Sequence, residues 1–363
     1  MIPVPVHFTA DEISREAERL FRVLIGVDCV PGRRWDYAEC IRLAPLTLEI
    51  NRLKKEKNAI ILAHSYVEPE IVYGISDFRG DSYYLSRVAR DARAQTIVFA
   101  GVVFMAETAK ILSPDAIVIV PDRASGCSLA DSLSGEELRR LKSLHPDAAV
   151  VCYVNSTAEV KAESDVCVTS GNAADIVAAL PERQILFVPD RLMSDNLRLE
   201  LRRRGIDKEI ISSDGTCVVH DHFDANEIAR VRVQFPGVKV VAHPECPTDV
   251  AAAADFVGNT ESMMRYVRTT VAPYFLMLTE CGLVARVQVE DPEKRLVGGC
   301  RLCPYMKLNS LEKVRDALAH PRPDQIITLD ESVRRRAARS LERMFELTAG
   351  AASSPWQLVP AAS

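Results

Sequence analysis

The stretch 299–309 (GCRLCPYMKLN) holds the only Cys-x-x-Cys of the chain, formed by Cys300 and Cys303. This spacing fits one half of a four-ligand zinc site. It equally fits a thioredoxin-like redox pair, because Cys303 precedes a proline and could stand at a helix N-terminus. A third interpretation is that the stretch contributes to a site whose other ligands come from distant parts of the chain.

Two further cysteines lie where such ligands would be expected. Cys127 stands in the loop SGCS and Cys217 in the loop GTCVVH, each close to a glycine and each after a predicted strand. Three converging thiolates form a tripod that leaves one metal position open. On a 4Fe-4S cluster, the open iron can bind substrate oxygens as a Lewis acid, whereas electron-transfer clusters are closed by four cysteines. Spacing alone leaves a cluster, a zinc tripod and structural thiols as alternatives.

The elements that must position these cysteines recur three times along the chain. Short apolar runs alternate with helical patterns, which indicates βα units and parallel sheets. Nine strands are predicted in three sets of three: Ala59–Ala63, Thr96–Ala100 and Ala116–Val120; Ala148–Val154, Val166–Thr169 and Gln184–Val188; Val238–Ala242, Asp255–Val257 and Tyr274–Leu278. The sequence VPDR follows the third strand of both the first and the second set. We therefore predict an α/β fold with three similar three-layer α/β/α domains and short parallel sheets.

The predicted organisation has five parts. A helical extension covers 1–57, three α/β domains cover 58–135, 136–222 and 223–330, and a C-terminal helix with a flexible tail covers 331–363. The carboxyl ends of parallel strands build the binding site in such folds. We therefore expect the polar groups at the strand ends to face one shared cavity.

Composition excludes several classes of function. The 363 residues are 48% hydrophobic and 26% charged with a formal net charge of −5, so the chain lacks the basic surplus that nucleic-acid binding requires. No apolar run approaches the ~20 residues of a membrane span, and the N-terminus does not have the pattern of a signal peptide. These features predict a cytoplasmic protein whose ten cysteines are reduced thiols without a disulfide framework.

Several motifs together resemble the quinolinate synthase family of NAD biosynthesis, over a region from about Ala59 to about Leu318. The motifs are Phe104–Leu112, Pro121-Asp122, Gly126–Ser128, Ala130-Asp131, Tyr153-Val-Asn155, Ala158–Lys161, Gly215-x-Cys217-x-x-His220, His243–Pro247 and Cys303-Pro-x-Met306-x-x-Asn309. The resemblance implies a pseudo-threefold arrangement of the three domains around a 4Fe-4S cluster. It also implies Cys127, Cys217 and Cys303 as the ligands, with Cys300 left out.

The same resemblance implies the reaction and its partners. Members of the family condense iminoaspartate with dihydroxyacetone phosphate and release quinolinate, phosphate and water. These two molecules are the expected substrates, and a transient contact with L-aspartate oxidase, which produces iminoaspartate, is left open.

The reaction needs proton shuttles and a stabiliser of developing negative charge. By the resemblance, the expected catalytic residues are His64, Tyr66, His243, His220 and Glu245, with Glu245 as general base. His220 is nearly as well explained as a support of the Cys217 loop. The expected substrate-binding residues are Ser82, Tyr153, Asn155, Ser170 and Thr260. Ser82, Ser170 and Thr260 stand near predicted helix starts, where a hydroxyl can hold an anion or simply cap the helix.

Two other functions remain as alternatives at this point. One is an iron–sulfur or zinc-thiolate regulatory protein that has the same fold and no catalysis. The retained set of His64, Tyr66, His243 and Glu245 speaks against it, because a sensor needs only the cysteines. The other is a redox enzyme that uses Cys300 and Cys303 as its reactive pair. The sequence departs from the family pattern at Ser65, Gly171 and Ser213, and it carries one residue more than expected between His64 and Asp77.

Overall fold

The computed structural model describes residues 7–349 and Trp356. The chain begins with α1 (Ala10–Leu24) and α2 (Tyr37–Glu56). Thr9 caps α1, because its side chain accepts from the Glu12 N–H while the Glu12 carboxylate bonds back to Thr9. Two helices thus lie within the predicted extension, whose limits at 1–57 stay a prediction. Of the predicted flexible tail, 350–355 and 357–363 lie outside the described residues.

Three parallel sheets form the core of the molecule. The first contains β1 (Ala59–His64), β2 (Phe78–Gly80), β3 (Thr96–Ala100) and β4 (Ile117–Ile119) in the order β2-β1-β3-β4. The second contains β5 (Ala149–Tyr153), β6 (Val166–Val168), β7 (Gln184–Val188) and β8 (Glu209–Ser212) in the order β6-β5-β7-β8. The third contains β9 (Lys239–Ala242), β10 (Phe256–Val257) and β11 (Phe275–Leu278) in the order β10-β9-β11. The predicted class, three α/β units with short parallel sheets, is confirmed.

Helices connect the strands and cover the sheets. They are α3 (Pro69–Gly74), α4 (Ser82–Asp91), α5 (Val103–Leu112), α6 (Gly135–Leu144), α7 (Ala158–Ala162), α8 (Ala173–Ala179), α9 (Arg191–Arg203), α10 (Ala225–Gln234), α11 (Thr248–Ala253), α12 (Thr260–Thr269), α13 (Cys281–Glu290), α14 (Leu311–Ala319) and α15 (Glu331–Ala349). Strands such as β5 and β11 are buried along their whole length. Burial on both faces explains why the central strands read as continuous apolar runs. None of the helices within 7–349 is long and apolar enough to cross a membrane.

Two of the eleven strands within residues 7–349 are not predicted from the sequence, and both lie at sheet edges. β2 and β8 are short and partly exposed, so they lack an apolar run. The second strand of the first unit is therefore β2, which is equivalent to β6 and β10. The third strand is β3, which is equivalent to β7 and β11. As a result, the first VPDR follows β4 and the second follows β7, which are not equivalent positions. The shared four residues do not belong to the structural repeat, and using them to align the first unit was wrong.

The sheets occupy 59–119, 149–212 and 239–278. The exact limits of the three domains stay predictions. At the carboxyl ends of the strands, the loops of all three units meet around one cavity.

Candidate active site

The three cysteine loops share one backbone geometry. The first residue of the helix after the third strand donates to the carbonyl two residues before each cysteine: Val103 to Ser125 at 2.8 Å, Arg191 to Gly215 at 2.8 Å and Cys281 to Arg301 at 3.0 Å. The N–H four residues after each cysteine donates to that cysteine's carbonyl: Asp131 to Cys127 at 2.9 Å, Asp221 to Cys217 at 3.0 Å and Lys307 to Cys303 at 3.1 Å. This agreement defines the internal repeat of the fold far better than the VPDR sequence.

The turns that follow the cysteines also agree. A short 3-10 turn begins three residues after each cysteine, at Ala130, His220 and Met306. The next helix is capped seven residues after each cysteine, by Ser134, Asp224 and Ser310. Each thiol is thus held at the head of a rigid turn.

The thiols of Cys127, Cys217 and Cys303 are free and face the same cavity. Burial raises the pKa of Cys127 to about 12 and that of Cys303 to about 11, while backbone N–H groups of the following turn lower both. Burial also raises the pKa of Cys217. A bound metal would replace the proton of each thiol, because only thiolates are ligands.

The spacing of the cysteines tests which metal group they could hold. Among residues 7–349 and Trp356, one group of three has ligand atoms that all lie within 4.8 Å of one another, namely Cys217, His220 and Glu245. The three cysteines do not form such a group. Zn–S bonds of ~2.3 Å in tetrahedral geometry would hold the sulfurs at ~3.8 Å from one another. The three sulfurs, as they lie within the described residues, are therefore not placed to share one tetrahedral zinc ion.

A chain of hydrogen bonds runs beside the cysteines and joins four side chains to Glu245. The Tyr66 hydroxyl lies 3.0 Å from Thr279 Oγ1, which lies 3.3 Å from His220 Nε2. His220 Nδ1 lies 2.8 Å from one Glu245 oxygen, and the Tyr153 hydroxyl donates to the other. These contacts form one continuous hydrogen-bond network from Tyr66 to Tyr153.

The protein environment shifts the pKa values of the titratable groups in and beside this network in different directions. Burial raises the pKa of Glu245, but the His243 and His220 imidazoles and the Tyr153 hydroxyl outweigh burial, so the net pKa is lowered and the group is a carboxylate. Burial lowers the pKa of His243 to about 3 and that of His64 to about 3, the latter with help from Arg286. Burial also raises the pKa of Tyr66 well above its usual value. Near neutral pH the Glu245 carboxylate thus shares the cavity with neutral His64 and His243 and with the protonated phenol of Tyr66.

Three hydroxyl groups line the end of the cavity that follows β2, β6 and β10, the second strands of the three units. Ser82 and Thr260 are the first residues of α4 and α12, and Ser170 lies just before α8. The helix caps are the preceding Asp81 and Asn259, so the alternative that the hydroxyls of Ser82 and Thr260 serve as caps is wrong. The three hydroxyls make no hydrogen bond to any described residue and line the cavity. Helix N-termini with free hydroxyls suit carboxylates and phosphates.

Asn155 supplies another unused polar group at the cavity wall. Its Oδ1 atom is buried and has no hydrogen-bond partner among the described residues. A buried polar atom without a partner is costly. A ligand that donates to Asn155 would remove this cost.

The Cys-x-x-Cys stretch does not form a redox pair. Cys300 is joined to Cys281 by a disulfide, while Cys303 remains free. The expectation that all cysteines are reduced is therefore wrong for this pair. The pairing of Cys281 with Arg301 brings residues 281 and 300 to a Cα–Cα distance of 5.0 Å, which the sequence does not reveal.

All thirteen sequence-predicted site residues line the same cavity: His64, Tyr66, Ser82, Cys127, Tyr153, Asn155, Ser170, Cys217, His220, His243, Glu245, Thr260 and Cys303. Their individual roles stay predictions. Thr279 and Asp81 were missed as members of the site. Thr279 ends β11 as a polar residue after an apolar run, and that position is the signal that could have found it.

Comparison with known proteins places the chain in a family. The family described as "Quinolinate synthetase A protein" matches residues 48–346. Proteins named "Quinolinate synthase" are 43% identical over 322 residues in Caulobacter vibrioides (88% of this chain, 86% of that protein) and 45% identical over 298 residues in Xylella fastidiosa (82% and 86%). A third, from Rippkaea orientalis, is 42% identical over 307 residues (82% and 92%). The chain therefore belongs to the quinolinate synthetase A protein family.

Proposed function

We propose that the protein condenses iminoaspartate with dihydroxyacetone phosphate to give quinolinate, phosphate and two water molecules. The observation that carries this proposal is the shared cavity, in which three identically held cysteines face a hydrogen-bonded acid–base network and three hydroxyls that bond to no described residue. The names of the relatives support quinolinate as the product, and the two substrates follow from the family resemblance. The cytoplasm as location and a contact with L-aspartate oxidase stay predictions.

The cysteine tripod fits a 4Fe-4S cluster held by Cys127, Cys217 and Cys303. The three sulfurs do not all lie within 4.8 Å of one another, as ligands of a single zinc ion would, and backbone N–H groups bond to each thiol. When bound through three cysteines, such a cluster supplies an open iron that acts as a Lewis acid toward substrate oxygens.

Glu245 serves as the general base. It is a buried carboxylate, so it can accept a proton from the carbon next to the triose carbonyl. His220 and Tyr153 bond to its two oxygens and fix its orientation. The protonated group can then return the proton to a neighbouring carbon or oxygen.

Tyr66 serves as the proton donor at the end of the hydrogen-bond chain that lies opposite Glu245. Its phenol stays protonated because it is buried, and Thr279 connects it to His220. Loss of water needs a proton on the departing hydroxyl, and Tyr66 can give one that the chain replaces. Neutral His64 and His243 line the same cavity and can each donate or accept a hydrogen bond to substrate.

The hydroxyls of Ser82, Ser170 and Thr260 hold the anionic groups of the substrates. These groups are the carboxylates of iminoaspartate and the phosphate of the triose. Tyr153 and Asn155 complete the wall between this anionic end and Glu245. The complete acid–base set also disfavours a purely regulatory protein, in which these residues would have no task.

The test is an anaerobic assay of purified protein for quinolinate from the two substrates. We expect product and about four iron atoms per chain. Cys303→Ser should lose iron and activity together, whereas Cys300→Ser, its matched control, should retain both to a large extent. Full activity in colourless protein would refute the cluster, and iron-loaded wild type without product would refute the activity.

A further inference from the structure

Trp356 is docked against two loops of the cavity, although it lies far along the chain from both. Its indole N–H donates to the Ser170 carbonyl at 2.8 Å, and its backbone forms an antiparallel bridge with Val257. The side chain is 3% exposed. The match to the family ends at residue 346, so this tryptophan lies outside the matched region.

A second bond from the C-terminal part of the chain reaches the same loop. Thr348, in the last turn of α15, accepts from Asn172 Nδ2 at 2.9 Å. The other end of the Asn172 amide, Oδ1, accepts from the Thr169 N–H at 2.6 Å. The turn 169–172 is thus fixed from outside at two points.

The other side of this turn packs on the third unit. A Cβ on Gly171 would lie 2.8 Å from Asn259 Nδ2, so the glycine allows a close approach of the two loops. Asn259 in turn donates to Asp81 Oδ2 at 2.9 Å. Loops from all three units therefore meet at this glycine, where a larger residue would require the Asn259 side chain to shift.

We propose that Trp356 is a positioning residue for substrate binding: it ties the Ser170 turn to the end of β10, so that Ser170 and Thr260 present their hydroxyls to the substrate anions in a fixed relation. This inference rests on the proposed function. Trp356 does not line the cavity and acts only through these two loops.

The geometry of the peptide bond between Ser170 and Gly171 also supports a positioning role for Trp356. The C=O and N–H of one trans peptide point to opposite sides. Since the indole fixes the Ser170 carbonyl, the Gly171 N–H faces away from Trp356, and it makes no hydrogen bond to any described residue. Loss of the indole bond would let this peptide rotate and would disorder the hydroxyl beside it.

The chain offers a matched control. Trp35, the only other tryptophan, is also buried and also donates through its indole N–H, to Glu70 Oε2 at 3.0 Å in the N-terminal region. Trp356→Phe and Trp35→Phe each remove one indole hydrogen bond and keep an aromatic ring. The experiment measures quinolinate binding by calorimetry on anaerobic, iron-loaded protein, together with KM, kcat and Tm.

We expect Trp356→Phe to raise the Kd for quinolinate and the substrate KM by about three- to tenfold, the effect of one lost neutral hydrogen bond at an ordered site. Its kcat should stay within about twofold, and its Tm should fall no further than that of Trp35→Phe, which should keep the wild-type Kd. Trp356→Ala should show a larger rise in Kd.

Two results would overturn this inference and leave the proposed function intact. One is a Trp356→Phe protein with the wild-type Kd and KM, and the other is a Trp35→Phe protein whose Kd and KM rise as much as those of Trp356→Phe. A wild type that neither binds nor forms quinolinate would instead overturn the proposed function, and this inference with it. The wild-type measurement therefore separates the two failures.

Discussion

Glu245→Gln tests the acid–base chain with the smallest change of shape. The Glu245 side chain is buried, with one oxygen 2.8 Å from His220 Nδ1 and the other accepting from Tyr153. Glutamine keeps the volume and one acceptor oxygen but replaces the other with an NH₂ donor. The variant therefore removes the base while the cavity keeps its shape.

The size of the effect follows from these contacts. Loss of a general base lowers kcat by about 10²- to 10⁴-fold, which is ~2.7–5.5 kcal/mol of barrier. Stability should fall less, by about 1–3 kcal/mol, because the amide leaves one buried bond unsatisfied. We thus expect a large loss of kcat in a protein that remains folded and loaded with iron.

The assay combines anaerobic kcat, iron content, the cluster spectrum and the free energy of unfolding. Glu70→Gln is the matched control, because Glu70 is an equally buried carboxylate that accepts from Trp35, away from the cavity. It should lose stability without losing kcat. A Glu245→Gln enzyme whose kcat lies within about threefold of wild type would refute the assignment of the base, as would simultaneous loss of iron.

Three further predictions concern the supports of the site. Thr279→Val removes the hydroxyl between Tyr66 and His220, so kcat should fall by about tenfold or more in the steady-state assay, whereas Thr279→Ser should stay near wild type. Gly215→Ala should lower Tm and bound iron, because its Cβ would lie 2.6 Å from the Pro189 carbonyl. Gly299→Ala, whose Cβ has its nearest neighbour at 3.7 Å, should change neither quantity. The pKa of His243 is lowered to about 3, so the folded state binds fewer protons than the unfolded state between about pH 3 and 6.5. The free energy of unfolding in urea should therefore fall from pH 7 to pH 5, and it should fall less steeply in His243→Gln.

The sequence predicted the central strands well because their burial leaves an unmistakable apolar run. Edge strands such as β2 and β8 are partly exposed, and no composition signal marks them. Because the apolar runs do not predict β2, they place β3 and β4 as the second and third strands of the first unit, and the chance identity VPDR supports that wrong alignment. The equivalence of the units rests instead on backbone hydrogen bonds around each cysteine, which side-chain identities do not encode.

Pairings between distant residues were beyond the sequence for a different reason. The disulfide partner of Cys300, the position of Thr279 between two rings and the docking of Trp356 depend on how loops cross in space. Many cysteines, hydroxyls and aromatic residues have similar local surroundings in the sequence. Only the distances between these residues in the folded protein show which of them contact one another.

The sequence by itself determined the α/β class and, through its motifs, the thirteen residues that share the cavity. The α/β class follows from the alternation of apolar runs and helical patterns. The site residues follow from the resemblance of the motifs to a known family, because spacing alone left several kinds of site open. The tertiary structure decided which cysteine of GCRLCPYMKLN is free: Cys300 is bound to Cys281, and Cys303 alone faces the cavity. It also decided that the three cysteine sulfurs do not all lie within 4.8 Å of one another, because their separation is set by loops that follow three separate sheets.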